Sequence, residues 1–258
     1  MDWKKEYIPK DEKPLDRLVD GYSNTSIFRT IGFVGDSLSS GEIESRDANG
    51  NPGYHDWYEY SWGQFIARKN GLTGYNFSRG GMTAKEYVES FADANHFWDP
   101  AKACQAYVIA LGVNDVHGAN IPIGSIDDVD FEDWHNNKPT FAGYYATIVA
   151  RLKTIQPRAK FFFVTVPRES DAHNNLFLPT VVFLRDLAAR TDNAYVIDLM
   201  EYGPTYDEEL HKYFWLYGHM NPQGYLFTAR LIDSYIDYII RHNPRDFETV
   251  PFIGTDLH

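Results

Sequence analysis

The chain has 258 residues, of which 43% are hydrophobic and 23% charged, a composition ordinary for a globular protein and unlike that of a disordered one. Its 36 acidic residues outnumber its 24 lysines and arginines, and the net charge of −12 disfavours binding to a phosphate backbone. Because Cys104 is the only cysteine, an intrachain disulfide and a four-cysteine zinc site are both excluded.

The first 24 residues are polar, include Pro9 and Pro14, and are predicted to form an N-terminal arm. They contain no apolar stretch of the length found in signal peptides. Apolar runs elsewhere fall far short of the roughly 20 residues that a membrane span needs. The sequence therefore predicts a cytoplasmic protein with neither a membrane nor a nucleic acid as partner.

Beyond the arm, five short apolar runs are predicted to be buried strands, at 30–34, 74–78, 106–111, 160–166 and 194–199. Between and after them, helical periodicity occurs over 57–69, 140–155, 178–189 and 223–241. This alternation favours a parallel sheet covered on both faces. We expect one three-layer α/β/α domain over 25–243 with a central parallel sheet of about five strands, followed by a tail over 244–258 that has no clear element.

Two long polar segments, 41–56 and 115–139, are predicted to be loops near a functional site. The second contains an acidic cluster that lacks the glycine and terminal glutamate of a calcium-binding loop, so we interpret it as solvated. No sequence pattern predicts a metal site or a cofactor. Cys104 is expected to be a small buried hydrophobe, and Asp198 to be structural.

A candidate nucleophile is Ser37, in the segment Gly35-Asp36-Ser37-Leu38 directly after the first predicted strand. Ligands of open parallel sheets bind outside the carboxyl ends of the strands. The same tetrapeptide is also typical of a turn in which the serine caps a helix. We expect Asp36 to fix this loop through hydrogen bonds to the backbone rather than to take part in chemistry.

A nucleophilic serine needs a base and donors for an oxyanion. Of the nine histidines, His219 is singled out because it lies in a loop just before the last predicted helix. Gly81 belongs to a glycine pair after the second predicted strand, where backbone N–H groups can approach a ligand. Asn114, in the segment Gly112-Val113-Asn114-Asp115, follows the third predicted strand and offers a side-chain amide.

Taken together and in this order, these four segments resemble the SGNH/GDSL hydrolase family over about residues 30–240. The resemblance implies a flavodoxin-like fold and a serine esterase that hydrolyses a small-molecule carboxylic ester through an acyl-enzyme, without metal or cofactor. It assigns Ser37 as the nucleophile and His219 as the base. It assigns the oxyanion hole to Gly81, Asn114 and the N–H of Ser37.

The chain departs from the family pattern near the histidine, since Leu216 stands where the family usually has the aspartate of a DxxH motif. Loss of that acid in a serine protease costs about 10⁴ in turnover. A backbone carbonyl near Leu216 can replace it, or a carboxylate from elsewhere. The nearest acids in sequence are Asp207, Glu208 and Glu209, which a solvated helix face also explains. The remaining alternative is a weak or inactive binding module on the same scaffold.

The substrate is less constrained. No long apolar lid segment is visible, which favours a short acyl group, for instance on an acetylated carbohydrate; lipase, thioesterase and acyltransferase activities stay open. Trp57, Tyr58 and Trp62 follow helical spacing and are expected in the core. Tyr54 and Tyr60 do not follow this spacing and are candidates for lining a substrate cleft. The oligomeric state is left open.

Overall fold

The five predicted strands form one parallel sheet, in the order β4-β1-β5-β6-β7. The computed structural model describes residues 2–258. In chain order, its strands are β1 Thr30–Gly35, β2 Glu42–Arg46, β3 Pro52–Asp56, β4 Thr73–Ser78, β5 Ala106–Ala110, β6 Lys160–Val164, β7 Ala194–Ile197, β8 Trp215–Leu216 and β9 His219–Met220. In the sheet, Gly35 is in register with Ser78 on one side and Ala110 on the other, so these three strands end together.

The four predicted helical segments are present. The helices are α1 Trp3–Tyr7, α2 Ser37–Ser40, α3 Trp62–Asn70, α4 Ala84–Glu86, α5 Ala92–Ala94, α6 Val113–His117, α7 Phe141–Ile155, α8 Asp171–Arg190, α9 Leu199–Tyr202, α10 Glu208–Phe214, α11 Pro222–His242 and α12 Pro244–Phe247. Short 3₁₀ or π turns occur at Asn24–Ile27, Tyr58–Tyr60, Tyr87–Phe91, Pro100–Lys102, Ile126–Asp128, Trp134–Asn136 and Val250–Phe252.

Two helix boundaries differ from the sequence prediction. The helix predicted over 57–69 begins only at Trp62, because the Ser61 hydroxyl accepts a hydrogen bond from the N–H of Gln64 and caps the first turn. Consequently Trp57, expected in the core, is 49% exposed, whereas Trp62 is buried. Helix α8 begins at Asp171, seven residues before the predicted start, and contains Pro179 in its interior.

The sheet has apolar layers on both faces. Consecutive phenylalanines of β6 alternate between them: Phe161 and Phe163 pack with α7 and α8, and Phe162 packs with α11 and α12. All three side chains are fully buried. This two-sided burial explains why the strands are continuous apolar runs, and it confirms the three-layer α/β/α prediction. Within residues 2–258, no helix is both long enough and apolar enough to cross a membrane.

The prediction of a loop over 41–56 was wrong. Strands β2 and β3 form an antiparallel hairpin in which Glu42 lies opposite Asp56 and Arg46 lies opposite Pro52. The Asp47 carboxylate closes its turn by accepting hydrogen bonds from the backbone N–H groups of Asn49 and Asn51. The hairpin escaped prediction because its residues are mostly polar, and polar residues in this position typically signal a loop.

The expectation of a tail without elements was also wrong. The tail contains α12 and the 3₁₀ turn Val250–Phe252, and Phe247, Val250 and Ile253 are buried in the apolar layer that contains α11. The N-terminal arm packs on α11 through an ion pair between Glu12 and Arg241. The domain limits at residues 24 and 243 stay a prediction.

Candidate active site

Ser37 lies at the carboxyl end of β1, in the first turn of α2. Asp36 caps this helix by accepting a hydrogen bond from the N–H of Leu38 at 3.1 Å, as expected from the sequence. The turn is tight: a Cβ on Gly35 would lie 2.1 Å from the Ser39 hydroxyl oxygen, so only glycine fits there. The result is a half-buried serine just outside the sheet edge.

The two candidate oxyanion segments are joined to each other. The Asn114 side chain donates a hydrogen bond from Nδ2 to the carbonyl of Met82 at 3.1 Å. The neighbouring Gly81 is exposed and has a φ of +72°, a backbone conformation that favours glycine. Since β1, β4 and β5 end together, the loops that carry Ser37, Gly81 and Asn114 leave the sheet at one edge.

His219 is carried by a second, very short hairpin, β8–β9. Leu216 and His219 are paired in its ladder, and the turn between them places Tyr217 at a φ of +58°, in the left-handed region that costs a non-glycine residue strain. Strand β9 lies against both α2 and β2. The fold thus brings the histidine hairpin beside the serine helix and the β2–β3 hairpin.

Both ring nitrogens of His219 face carboxylates from β2. Nε2 lies 2.8 Å from Oε1 of Glu42, and Nδ1 lies 3.5 Å from Oε2 of Glu44. The same Oε2 accepts a hydrogen bond from the N–H of Gly218 at 2.7 Å, and Arg46 forms an ion pair with Glu44. In the described chain, residues 2–258, no hydrogen bond joins the Ser37 hydroxyl to His219.

The two glutamates differ in electrostatics. Burial raises the pKa of the Glu42 carboxyl, and the charges of Asp56 and Glu44 add to this against the opposing effect of His219. Burial also acts to raise the pKa of Glu44, but the hydrogen bonds from Gly218, Arg46 and His219 outweigh it, so this pKa lies below its usual value. Glu44 is therefore the more firmly ionised of the two.

Among residues 2–258, the acids predicted from their sequence position form no hydrogen bond or ion pair with His219. Asp207 caps α10 by accepting from the N–H of Leu210, and Glu208 and Glu209 are exposed in its first turn. Sequence reasoning missed Glu42 and Glu44. The available signal was the pattern Glu42-Ile43-Glu44 shortly after the serine segment, because residues two apart on a strand point to the same face.

Two more carboxyls at this edge have displaced pKa values. Burial raises the pKa of Asp36 to about 7, and the nearby charges of Asp115 and Glu42 add to the shift. Burial likewise raises the pKa of Asp115 to about 6, although its carboxylate accepts hydrogen bonds from the N–H of Ala84. Asp198 caps α9 and pairs with Arg185, as a structural residue would.

One exposed aromatic ring contacts the histidine, and two others lie further along the same segment. The Tyr54 ring is 57% exposed and meets the His219 ring edge-on, with centroids 5.8 Å apart. Trp57 stacks on His55 at 5.3 Å and contacts Tyr60, which is 45% exposed. Tyr54 thus adjoins the candidate site directly, and Tyr60 adjoins it only through Trp57 and His55.

An apolar cavity opens beside the serine helix. It lies at the carboxyl ends of β1, β5 and β6, and its walls include Leu38, Val113, Val164, Pro167 and Met220. Elsewhere, no cluster of three or more His, Cys, Asp or Glu side chains among residues 2–258 has the arrangement of a metal site. The acidic residues near 130 instead bond to neighbouring groups of their own loop.

A three-layer sandwich with a serine after β1, a glycine and an asparagine after β4 and β5, and a histidine just before α11 defines an SGNH-type hydrolase. The chain belongs to the GDSL-like lipase/acylhydrolase family, whose model matches residues 33–227. It is accordingly a hydrolase that acts on ester bonds, and the resemblance seen in the sequence is confirmed.

Solved structures share the fold at low sequence identity. A Lactobacillus plantarum protein is 18% identical, with 81% of this chain and 97% of that chain covered and a TM-score of 0.58. A family two carbohydrate esterase from Clostridium thermocellum, in complex with cellohexaose, is 15% identical, with 89% and 67% covered and a TM-score of 0.57. A family two carbohydrate esterase of Corynascus thermopiles (Myceliophthora fergusii) is 16% identical, with 84% and 67% covered and a TM-score of 0.56. No curated protein matches the chain in sequence.

Proposed function

We propose that the protein is a serine esterase that cleaves a carboxylic ester through an acyl-enzyme on Ser37, with His219 as the base. The observation that carries the proposal is the arrangement at one sheet edge: Ser37 opens α2 at the end of β1, and the strand bearing His219 lies against α2. Serine with an adjacent histidine is the minimal pair for nucleophilic acyl transfer.

In the proposed reaction, the Ser37 hydroxyl oxygen attacks the ester carbonyl carbon while Nε2 of His219 takes its proton. The tetrahedral intermediate collapses, the ester C–O bond breaks, and the leaving alcohol receives that proton. Water then gives a proton to His219 and attacks the acyl carbon. Breaking the bond to Ser37 releases the carboxylic acid and returns the proton to the serine, so one ester and one water yield one acid and one alcohol.

The oxyanion is assigned to the N–H of Gly81, the side chain of Asn114 and the N–H of Ser37. An asparagine amide carries two hydrogens on Nδ2, and the hydrogen bond to the Met82 carbonyl uses one of them. The second hydrogen remains for the oxyanion, while the first fixes the orientation of the amide. A donor that is already oriented stabilises developing charge without reorganising during the reaction.

For the substrate, we propose a short acyl group on a carbohydrate alcohol. The apolar cavity beside Leu38 suits the acyl part. The exposed rings of Tyr54, Trp57 and Tyr60 suit the alcohol part, because sugars stack on aromatic faces. The carbohydrate esterases among the structural neighbours share the fold and suggest the same substrate class. A small-molecule ester as the partner and a cytoplasmic location remain predictions from the sequence.

The test is hydrolysis of p-nitrophenyl esters from acetate to long acyl chains, together with acetylated oligosaccharides, by the wild type and by Ser37→Ala. We expect the variant to lose at least about 10³-fold in kcat. Ser90→Ala, which removes a hydroxyl from an exposed helical position, serves as the matched control and should hydrolyse at the wild-type rate.

Two results would overturn the proposal. One is hydrolysis by Ser37→Ala at a rate close to the wild type, which would move the nucleophile elsewhere. The other is a wild type inactive on all of these esters that nevertheless binds oligosaccharides, which would favour the binding module on a hydrolase scaffold. An optimum at long acyl chains would replace the carbohydrate substrate with a lipid one.

A further inference from the structure

The aspartate missing at position 216 leaves His219 without the acid that usually orients such a base, yet the histidine has two carboxylates within reach. Both come from β2, which begins five residues after Ser37, whereas the usual aspartate would stand three residues before the histidine. One glutamate contacts Nδ1 of the ring and the other contacts Nε2, and these two contacts have different consequences for the base.

Glu44 has the contacts of an orienting acid. Its Oε2 accepts a hydrogen bond from the N–H of Gly218 and lies 3.5 Å from Nδ1 of His219, so one oxygen holds both the turn and the ring. Its side chain is only 5% exposed, and Arg46 balances its charge. A carboxylate at Nδ1 keeps the hydrogen on that nitrogen, which leaves Nε2 as the basic atom.

Glu42 has the contacts of a group that competes with Ser37 for Nε2 of His219. Its Oε1 lies 2.8 Å from Nε2, the atom that must accept the proton of Ser37. An imidazole nitrogen has one hydrogen-bonding direction in the ring plane, so Nε2 cannot bond to Glu42 and to Ser37 at once. The other oxygen of Glu42 lies against Gly80, where a Cβ would approach it to 2.0 Å. The carboxylate thus lies between the imidazole and the loop that supplies Gly81.

We propose that Glu44 is the positioning residue that replaces the missing aspartate, and that Glu42 holds Nε2 of His219 away from Ser37 in the resting enzyme and releases it when substrate enters. The inference rests on the proposed esterase function. It replaces Asp207, Glu208 and Glu209 as the source of the acid.

Charge supports this division of tasks. Glu44 is stabilised as a carboxylate by three hydrogen-bonding partners, as an acid facing an imidazolium must be. Burial and the charges of Asp56 and Glu44 disfavour Glu42 as a carboxylate against the opposing effect of His219, so its charge is less stabilised than that of Glu44. A negative charge next to Gly81 would also oppose an oxyanion, which is a second reason for it to leave before the chemical step.

The experiment compares Glu44→Gln with Glu42→Ala on the best ester of the series. Glu44→Gln retains an oxygen that accepts from Gly218 but removes the charge, and we expect kcat to fall by about 10²–10⁴ with KM within about threefold. Glu44→Asp, which restores a carboxylate, should recover part of kcat. Glu132→Gln removes the same charge from an exposed loop position and should leave kcat unchanged.

Glu42→Ala should change activity in the opposite direction. Because it frees Nε2, the fraction of enzyme competent for attack rises, and we expect kcat/KM to rise about two- to tenfold. The hydrogen bond from the Tyr225 hydroxyl goes to the Glu42 backbone carbonyl, so this variant retains it. Imidazole ¹⁵N NMR of the resting enzyme adds a readout free of turnover: the Nε2 resonance should shift in Glu42→Ala, and the Nδ1 resonance in Glu44→Gln.

A wild-type kcat in Glu44→Gln would overturn the assignment of the acid. A loss of kcat in Glu42→Ala as large as that in Glu44→Gln would overturn the division and make Glu42 the acid. Failure of the proposed function is distinct from either result, since it would appear as hydrolysis by Ser37→Ala or as inactivity of the wild type.

Discussion

The two edges of the central sheet use polar groups in different ways. At the amino edge, three side chains donate to backbone carbonyls of the tail: Arg29 and Gln105, which directly precede β1 and β5, and Arg158, two residues before β6. At the carboxyl edge, the side chains of His219 and Glu42 contact each other, and Asn114 uses only one of its two Nδ2 hydrogens in its bond to the Met82 carbonyl.

This difference separates an edge whose polar groups stabilise the fold, here called structural, from an edge whose polar groups are arranged for a reaction, here called chemical. A hydrogen bond to a fixed backbone carbonyl has no alternative partner, so it stabilises one arrangement. Contacts between titratable side chains can be exchanged when a substrate enters. The carboxyl edge also contains the strained backbone of Tyr217 and two carboxyls with raised pKa values, Asp36 and Asp115. Backbone strain and displaced pKa values cluster at functional sites, and the rest of the fold has to offset the stability that they cost.

The largest expected effect tests whether the carboxyl edge is chemical. Asn114→Ala removes a proposed oxyanion donor, and loss of one such donor typically lowers kcat by about 10²–10³. The free energy of unfolding should change by only about 1 kcal/mol, since a single hydrogen bond to the Met82 carbonyl is lost. Steady-state kinetics and denaturant unfolding measure the two quantities. A large loss of stability with little change in kcat would make Asn114 a structural residue.

The sequence was sufficient to predict the sheet and the family, for identifiable reasons. The strands are apolar because both faces are covered, and the segments around Ser37, Gly81, Asn114 and His219 contain enough unusual residues to resemble a family. It was not sufficient for Glu42 and Glu44, because the role proposed for them depends on a contact with His219 across about 175 residues of chain. Proximity in sequence pointed instead to Asp207, which caps a helix.

A smaller effect concerns how the free energy of unfolding depends on pH, because a buried carboxyl at the carboxyl edge destabilises the fold when it is ionised. Asp36 has a pKa of about 7, raised by burial from 3.8, so the folded state holds its proton more tightly than the unfolded state does. Stability should therefore fall as the pH rises from about 4 to about 7, with a slope approaching about 1.4 kcal/mol per pH unit. Asp36→Asn retains an oxygen that accepts from Leu38 and should remove this component of the slope.

Denaturant unfolding of wild type and Asp36→Asn at several pH values measures this difference. Asp192→Asn changes an exposed acid at the other end of the sheet and should give a curve parallel to that of the wild type. Curves for Asp36→Asn and wild type that stay parallel between pH 4 and 7 would show that Asp36 is ionised in the folded protein without cost.

The smallest expected effect tests the amino edge. Arg158 donates to the carbonyls of Phe252, Thr255 and Leu257, each at 2.7 Å. Arg158→Ala should lower the free energy of unfolding by only about 1–2 kcal/mol, because the carbonyls of Thr255 and Leu257 lie near the surface and can bond to water. Arg190→Ala, which truncates an exposed arginine at the end of α8, should change it by less than about 0.5 kcal/mol. If the amino edge is purely structural, kcat/KM of folded Arg158→Ala equals that of the wild type; a decrease would mean that the tail acts on the site through the length of the sheet.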